Sequence, residues 1–235
     1  MLKWFKNFFI DPILNFVYPP VCFLCNQLIE DAKFCVCIKC WSEFKKVEKS
    51  SIEFQLLMER FKNDGIIDKF CSLYIFEKDG KFQETIHLLK YKKIKSIGIT
   101  FGRELGVKIE NELGKFDILT AVPLHKLKYR ERGYNQVDYI CRGISEVSGI
   151  EFKNDLIIRT RYTKTQTELT FQERKENVKD AFSVNRKYYE LLKDAVVVVV
   201  DDVITTGSTV ASAGQVLKEA GCKTIYAASV GLASI

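Results

Sequence analysis

The most informative stretch of the sequence is Ala195-Val-Val-Val-Val-Val-Asp201-Asp202-Val-Ile-Thr205-Thr206-Gly207-Ser208-Thr209-Val210. Five consecutive valines followed by a turn are typical of a strand that is buried on both faces of a parallel sheet. Residues Ser208 to Ala220 follow a helical pattern that ends at Gly221, and Thr224 to Leu232 have the pattern of a second strand. This order predicts a βαβ unit, in which ligands bind at the carboxyl ends of the strands.

The turn after the valines has the composition of an anion site. Backbone N–H groups at a turn and at a helix N-terminus attract anions, and Gly207 allows a phosphate to approach the backbone closely. Asp201 and Asp202 are costly at the end of a buried strand unless a ligand uses them. The vicinal hydroxyls of a ribose, with or without Mg²⁺, would use both carboxylates. A helix cap explains one hydroxyl group of the turn but not the whole set, so we predict a site for a ribose 5′-phosphate.

The same stretch resembles the phosphoribosyl diphosphate (PRPP) binding motif of type I phosphoribosyltransferases, because both acidic residues and the whole turn match. The resemblance implies that Asp201 and Asp202 hold the ribose and Mg²⁺. It implies that the turn holds the 5′-phosphate through Thr205, Thr206, Gly207, Ser208 and Thr209. The expected fold class is α/β, with a mostly parallel sheet flanked by helices. The stretch is not a Walker A loop, because it lacks the GK[ST] sequence.

Length and composition fit one α/β domain with a small accessory module. The chain has 235 residues, of which 47% are hydrophobic, and a formal net charge of +6. This length favours one domain with a module, and the apolar content is enough for an ordinary core. The mild positive charge permits a polyanionic ligand without requiring nucleic acid.

The N-terminal segment, residues 1–17, is rich in aromatic and apolar side chains. Charged residues and Pro12 interrupt it, so it is too short and too broken to span a membrane. Because no small-residue cleavage site follows, we do not expect a signal peptide. We favour an amphipathic segment packed on the domain over a surface helix that contacts a membrane or a partner. The expected location is cytoplasmic, with membrane association as the alternative.

Five of the eight cysteines lie between residues 22 and 40. The pairs Cys22-Phe-Leu-Cys25 and Cys37-Ile-Lys-Cys40 have the spacing of a structural Zn²⁺ site with four thiolates. In a reducing cytoplasm, such cysteines are metal ligands more often than disulfide partners. Cys35 is an alternative ligand, and we favour Cys37 because only Cys37 completes a second CxxC pair. The remaining cysteines, Cys71, Cys141 and Cys222, are expected in the core.

The chain divides into four segments. These are the apolar segment 1–17, a zinc module over 18–45, a helical linker over 46–69 and a phosphoribosyltransferase-like domain over 70–235. Strands of the last segment, besides the βαβ unit, are expected at Ser72–Phe76, Asp117–Val122 and Leu156–Arg159. Helices are expected near Phe82–Lys92, Ile97–Leu113, Asn135–Val147 and Gln172–Asp180.

Three basic clusters follow elements of the core domain. They are Lys90–Lys95, Lys126–Gln136 and Arg159–Lys164, and each contains a tyrosine. If the sheet is parallel, the last two clusters lie at the same edge as Asp201 and supply cations for a diphosphate. The candidates among these cations include Arg130, Arg132 and Arg161. Basic residues interleaved with aromatic ones also suit single-stranded nucleic acid, whereas a solvated loop explains any one cluster equally well.

Further segments resemble the ComF family of competence-associated proteins (ComFC type) in matching order along nearly the whole chain. The matching residues are Pro123-Leu, Arg132-Gly-Tyr-Asn-Gln136, Arg161-Tyr-Thr-Lys-Thr-Gln166, Leu169, Glu173-Arg174, Asn177 and Ala181-Phe182, with the cysteine module before them and the PRPP motif after them. The resemblance implies a zinc finger joined to a phosphoribosyltransferase domain, and a role in DNA uptake across the inner membrane during natural transformation. It implies that Arg132, Gly133, Asn135 and Gln136 form a functional surface near the diphosphate.

Two functions are therefore expected. The first is a Mg²⁺-dependent phosphoribosyl transfer with release of diphosphate, for which neither the acceptor nor the catalytic residue is assigned. The second is a non-catalytic module that responds to PRPP and binds single-stranded DNA or a protein of the inner-membrane translocation machinery. The charges of the cysteine module are nearly balanced, which favours a structural or protein-docking role for it over DNA binding.

Overall fold

The computed structural model describes residues 19–29, 35–159 and 181–234. The helix expected at Gln172–Asp180, the cation Arg161 and the segment 1–17 lie outside these ranges. The centre of the fold is a four-stranded parallel sheet, which consists of β1 (Lys69–Phe76), β2 (Ile118–Ala121), β5 (Val196–Ile204) and β6 (Thr224–Ala233). The order of the strands across the sheet is β1-β6-β5-β2. The sheet and its helices confirm the expected α/β class.

Helices cover both faces of the sheet. They are α1 (Ile38–Ser42), α2 (Ile52–Asp64), α3 (Lys81–Tyr91), α4 (Lys95–Glu112), α5 (Lys126–Arg132), α6 (Gln136–Ser148), α7 (Tyr189–Leu192) and α8 (Ser208–Glu219), with a 3₁₀ turn at Arg186–Tyr188. Two short strands, β3 (Ile157–Arg159) and β4 (Phe182–Val184), form a separate antiparallel pair.

The valine run explains the layered arrangement. Successive side chains of a strand point to opposite faces, so Val198 and Val200 pack with α3, α4, α6 and the cysteine module. Val197 and Val199 pack on the other side with α2, α8 and the β3–β4 pair. All four valines are fully buried, as predicted for a strand covered on both faces.

One expectation about the third basic cluster is wrong. The strand expected at Leu156–Arg159 is present as β3, but it pairs antiparallel with β4 and is not part of the parallel sheet. A three-residue apolar run carries no information about its partner, because pairing depends on residues that are distant in sequence. Because β3 does not belong to the parallel sheet, the shared direction of the parallel strands does not indicate where this cluster lies.

Helices α4 and α6 cross at backbone contact. A Cβ atom added to Gly102 would overlap the carbonyl oxygen of Ile140, and one added to Gly143 would overlap that of Ile99. Glycine is therefore the residue that allows this approach. The contact fixes the position of α6, whose first turn faces the end of β5. Within the described ranges, no helix has both the length and the apolarity that crossing a membrane requires.

Candidate functional site

The site is built at the carboxyl edge of the sheet, where β2 and β5 end side by side. Ala121 pairs with Val200 across the two strands, so the segment after β2 begins next to Asp201 and Asp202. Because side chains alternate along β5, the two aspartates lie on opposite sides of the strand and have different neighbours. The structure therefore separates two carboxylates that are adjacent in sequence.

Asp202 is a buried carboxylate with several donors. Its Oδ2 atom is 2.7 Å from Nζ of Lys90 and accepts a hydrogen bond of 2.8 Å from Nε2 of Gln136. Its Oδ1 atom accepts the backbone N–H of Val203 at 2.7 Å. Burial by itself raises the pKa of Asp202, but the charge and hydrogen bond of Lys90, with the bond from Gln136, hold this pKa below its usual value. Asp202 is thus an ionised carboxylate at neutral pH.

Asp201 has a different environment. Its Oδ1 atom accepts the backbone N–H of Asp202 at 2.8 Å. Burial and the neighbouring charge of Asp202 raise the pKa of Asp201 to about 8. Arg159, at the end of β3, is close enough for the charge of Asp201 to raise its pKa, although burial has the larger, lowering effect. Neighbouring carboxylates whose pKa values are shifted apart in this way are typical of functional sites.

Arg132 extends the network on the Asp202 side. It is buried, its Nη1 atom donates to Oε1 of Gln136 at 2.8 Å, and its Nη2 atom donates to the hydroxyl of Tyr91 at 3.3 Å. Its guanidinium also lies 5.0 Å from the centre of the Tyr91 ring. Gln136 therefore connects the charge of Arg132 to Asp202. The Nε atom of Arg132 is buried and finds no hydrogen-bond acceptor among the described residues.

Gly133 and Asn135 shape the backbone that presents these side chains. Gly133 ends α5 with a φ of 78°, a left-handed conformation that favours glycine. Asn135 caps α6 by accepting the N–H of Val137 and donates to the carbonyl of Val122 at 3.1 Å. Gly133 and Asn135 are not part of the hydrogen-bond network of Asp202. They set the backbone conformation that positions the side chains of Arg132 and Gln136. Arg130 is exposed on α5 and is not in this network.

The Thr205–Thr209 turn joins β5 to α8. Gly207 has a φ of 75° and occupies the cap position of α8. The hydroxyls of Thr206 and Ser208 lie 3.0 Å apart, and Thr205 and Thr206 are exposed. The N–H of Ser208 donates to Oγ1 of Thr206 at 3.4 Å. The N–H groups that follow it at the start of α8 have no intrahelical acceptor and, together with these hydroxyls, form a surface that suits a phosphate.

Sequence reasoning assigned no individual role to Lys90 and did not single out Arg60. Lys90 belongs to the first basic cluster. The sequence could have indicated its role only indirectly, because an aspartate at the end of a buried strand needs a cation partner. Arg60 lies in the segment expected to be a linker, yet its Nη1 atom donates to the carbonyl of Thr206 at 2.7 Å. No local pattern in the sequence indicates this contact, because it joins residues that are 146 positions apart.

The cysteine module brings four thiols together. The Sγ atoms of Cys22, Cys25, Cys37 and Cys40 all lie within 4.8 Å of one another, and those of Cys25 and Cys37 are 3.7 Å apart. Zn–S bonds of about 2.3 Å in a tetrahedron require S–S distances of about 3.8 Å, so the four thiols fit a metal ion. Cys35 instead lies 3.4 Å from Oγ of Ser96. The structure therefore places Cys37, and not Cys35, in the cluster.

The other cysteines are core residues, as expected: Cys71, Cys141 and Cys222 are buried. The module is attached to the core through Trp41, which follows Cys40 directly. Its ring lies 4.6 Å from that of Phe101, and its Nε1 atom donates to Glu104 at 3.1 Å. Tyr74 of β1 donates to the same carboxylate at 2.6 Å. Glu104 thus connects the module, α4 and the sheet.

Comparison with known proteins agrees with this description. The family model described as "Phosphoribosyl transferase domain" matches residues 146–233, which contain β5, the turn and α8. The DNA utilization protein YhgH of Shigella flexneri is 33% identical over 145 residues, which cover 60% of this chain and 62% of that protein. Competence protein F of Haemophilus influenzae is 34% identical over 111 residues, which cover 46% of this chain and 47% of that protein. The chain thus spans less than two thirds of the length of these relatives.

A solved structure of the allosteric regulatory enzyme of purine biosynthesis overlaps 58% of this chain and 26% of that one, with 22% identity and a TM-score of 0.38. This overlap is too low to bear on the site. Residues 146–233 thus match a phosphoribosyl transferase domain, and the chain is similar to Competence protein F and to DNA utilization protein YhgH, in agreement with the resemblance to the ComF family.

Proposed function

We propose that the protein binds PRPP with Mg²⁺ and transfers its phosphoribosyl group to an acceptor during DNA uptake or DNA use. The observation that carries this proposal is the convergence of Asp201, Asp202 and the Thr205–Thr209 turn at one edge of the sheet. Carboxylates suit the ribose hydroxyls and Mg²⁺, and the turn suits the 5′-phosphate. The names of the two relatives support the connection to DNA.

The proposed chemistry uses the charged groups at this edge of the sheet. The anomeric carbon gains a bond to the acceptor nucleophile while its bond to the diphosphate breaks, and the diphosphate leaves with the electron pair. Positive charge develops on the ribose, so positioning and stabilisation of the leaving group are the main contributions a protein makes. Asp201 and Asp202 would orient the ribose, and Lys90 and Arg132 are the nearest buried or half-buried cations on the Asp202 side. When bound, Mg²⁺ would neutralise charge on the diphosphate.

Calorimetric titration with Mg²⁺–PRPP tests the proposal. The double variant Asp201→Ala with Asp202→Ala should lose binding, because both ribose-facing carboxylates are gone. The control replaces two exposed carboxylates, Glu190→Ala with Glu219→Ala, and should bind normally. Diphosphate release in the presence of candidate acceptors, at a rate above that of the double aspartate variant, would establish transfer. Unchanged PRPP affinity in the double aspartate variant would sink the proposal.

A second function, binding of single-stranded DNA, is supported by α5. This helix exposes three cations, Lys126, Lys128 and Arg130, and the ring of Tyr129 is 51% exposed among them. Cations attract the nucleic-acid backbone and an exposed ring stacks on bases. In this role the protein would respond to PRPP and pass DNA to translocation proteins at the inner membrane from a cytoplasmic position.

Fluorescence anisotropy with a labelled single-stranded oligonucleotide tests this second function. Affinity should fall steeply with salt, and Tyr129→Ala should weaken binding by about 1–3 kcal/mol. Tyr189→Ala is the matched control, because Tyr189 is similarly exposed on α7. A flat salt response, or equal effects of the two tyrosine variants, would argue against DNA binding through α5.

We also propose that the four-thiol cluster holds structural Zn²⁺. Its fit to a metal ion rests on the converging Sγ atoms, and thiolate ligands favour zinc among common cellular metals. Two backbone N–H groups already donate to cluster sulfurs, from Cys37 to Cys22 at 3.3 Å and from Cys40 to Cys37 at 3.4 Å. Such bonds stabilise thiolates.

A further inference from the structure

The turn that we assign to the 5′-phosphate rests on α2. A Cβ atom at Gly207 would come within 2.6 Å of the Phe61 ring and 2.8 Å of Leu57, so α2 packs directly beneath this residue. The helix is itself anchored by buried apolar side chains, since Phe61 and Phe54 contact Phe70 of β1 with ring centres 5.8 Å and 5.6 Å apart. The segment between the cysteine module and the core domain is therefore part of the support of the turn.

Arg60 adds a polar contact to this support. Its Nη1 atom donates to the carbonyl oxygen of Thr206 at 2.7 Å. In a trans peptide the C=O and N–H groups point in opposite directions, and this chain has no cis peptide among its described residues. The N–H of Gly207 belongs to the same peptide as the Thr206 carbonyl. It must therefore point away from Arg60, toward the side of the turn opposite α2.

The N–H of Gly207, a buried residue of the turn, has no hydrogen-bond acceptor among the described residues. It precedes the first turn of α8, in which the N–H of Ser208 donates to Oγ1 of Thr206 at 3.4 Å and the next N–H groups have no intrahelical acceptor. We propose that Arg60 is a positioning residue, which fixes the Thr206–Gly207 peptide so that the Gly207 N–H faces the phosphate. This inference rests on the proposed PRPP function and assigns a role within it to a residue that does not touch the phosphate.

Ribose 5-phosphate is the probe for this role, because it carries the 5′-phosphate without the diphosphate. Calorimetric titration should show an affinity about three- to tenfold lower for Arg60→Ala than for the wild type, the effect of one hydrogen bond. Arg60→Lys keeps a donor and should restore most of the affinity. Lys62→Ala removes a cation of the same helix that does not contact the turn, and it should bind as the wild type does.

A second readout separates positioning from folding. The ¹⁵N–¹H signal of Gly207 should shift in Arg60→Ala before ligand is added, while the melting temperature stays close to that of Lys62→Ala. If Arg60→Ala binds ribose 5-phosphate as the wild type does, or if Lys62→Ala weakens binding equally, the positioning role is wrong and the PRPP function stands. If the wild type binds neither ribose 5-phosphate nor Mg²⁺–PRPP, both proposals are wrong.

Discussion

Asp202 shows how a buried charge is tolerated at the end of a strand. An isolated carboxylate in this position would be costly, yet Lys90, Gln136 and the N–H of Val203 supply three donors. Gln136 is in turn held by Arg132. Groups of the protein itself therefore satisfy Asp202, whereas burial and the charge of Asp202 raise the pKa of Asp201 to about 8. In the proposed function, a bound cation would meet one charged carboxylate and one whose ionisation it favours.

Replacing Lys90 by methionine should destabilise the protein. The change leaves the buried Asp202 without its cation, and loss of one partner of a buried ion pair costs about 3–5 kcal/mol. The pKa of Asp202 should rise as well. Urea unfolding at neutral pH measures the loss of free energy. Lys92→Met is the matched control, because Lys92 is exposed next to the same turn of α3. Equal stability of the two variants would contradict the role of the Lys90–Asp202 pair.

Asp138 in the first turn of α6 gives a pH dependence with a defined sign. Burial raises its pKa to about 6, against the lowering effects of Arg142 and Asn135. Between the unfolded pKa of about 3.9 and pH 6, the folded protein retains a proton that the unfolded chain has lost. Folding stability therefore falls as pH rises through this window. Asp138→Asn should abolish this contribution.

Urea unfolding at pH 4.5 and at pH 7 tests the Asp138 prediction. The free energy of unfolding of Asp138→Asn minus that of the wild type should be larger at pH 7 than at pH 4.5. An unchanged difference between variant and wild type at the two pH values would show that Asp138 has an ordinary pKa in the folded protein.

At the scale of elements, the contact between α4 and α6 positions the site. The first residue of α6 is Gln136, which binds Asp202, so the packing of α6 decides where this amide lies. The packing depends on Gly102 and Gly143, because these residues have no Cβ atom to keep the two backbones apart. On the other face, α2 packs against Gly207 and supports the Thr205–Thr209 turn.

Substitution of Gly102 by alanine should separate the two helices. The added methyl overlaps the Ile140 carbonyl, and overpacking of this kind costs about 1–3 kcal/mol. Thermal unfolding measures the effect, and PRPP affinity should fall with it because Gln136 moves. Gly80→Ala is the control, since a Cβ at Gly80 meets its nearest atom at 3.6 Å. A similar melting temperature for the two variants would mean that the helices can adjust without cost.

At the scale of the whole molecule, the cysteine module and the core domain share one apolar cluster. Cys22, Cys40 and Phe44 pack in the same cluster as Leu105 and Ile140, and Trp41 binds Glu104 of α4. Folding of the module and stability of the sheet are therefore coupled. A metal ion bound at the four thiols would stabilise the whole chain by mass action and not only the module.

Cys37→Ser should lose the bound metal and lower the melting temperature of the whole protein. Cys35→Ser is the matched control and should retain the metal, because Cys35 lies outside the cluster. Metal content by mass spectrometry and the emission of Trp41, read in a Trp4→Phe background, report the two effects. Equal metal loss in both variants would show that Cys35 is a ligand.

Much of this protein is determined by local sequence. The valine run predicts a strand buried on both faces, because β-branched residues without polar interruption fit no exposed position. The turn after it predicts an anion site, because its glycine and hydroxyls are needed at that spacing. The two CxxC pairs predict a metal cluster, because each pair presents two thiols close together. Each of these patterns involves only a few consecutive residues. Over that distance the local backbone conformation alone determines how the side chains lie relative to one another.

The tertiary structure decided the rest. The pairing of β3 with β4, the approach of Lys90 to Asp202 and the support of Gly207 by α2 join residues that are far apart in sequence. Such contacts depend on how helices pack on the two faces of the sheet, which no short pattern encodes. The sequence by itself therefore indicates which groups the proposed chemistry would use, and the packing decided which cation balances which carboxylate and which helix supports the Thr205–Thr209 turn.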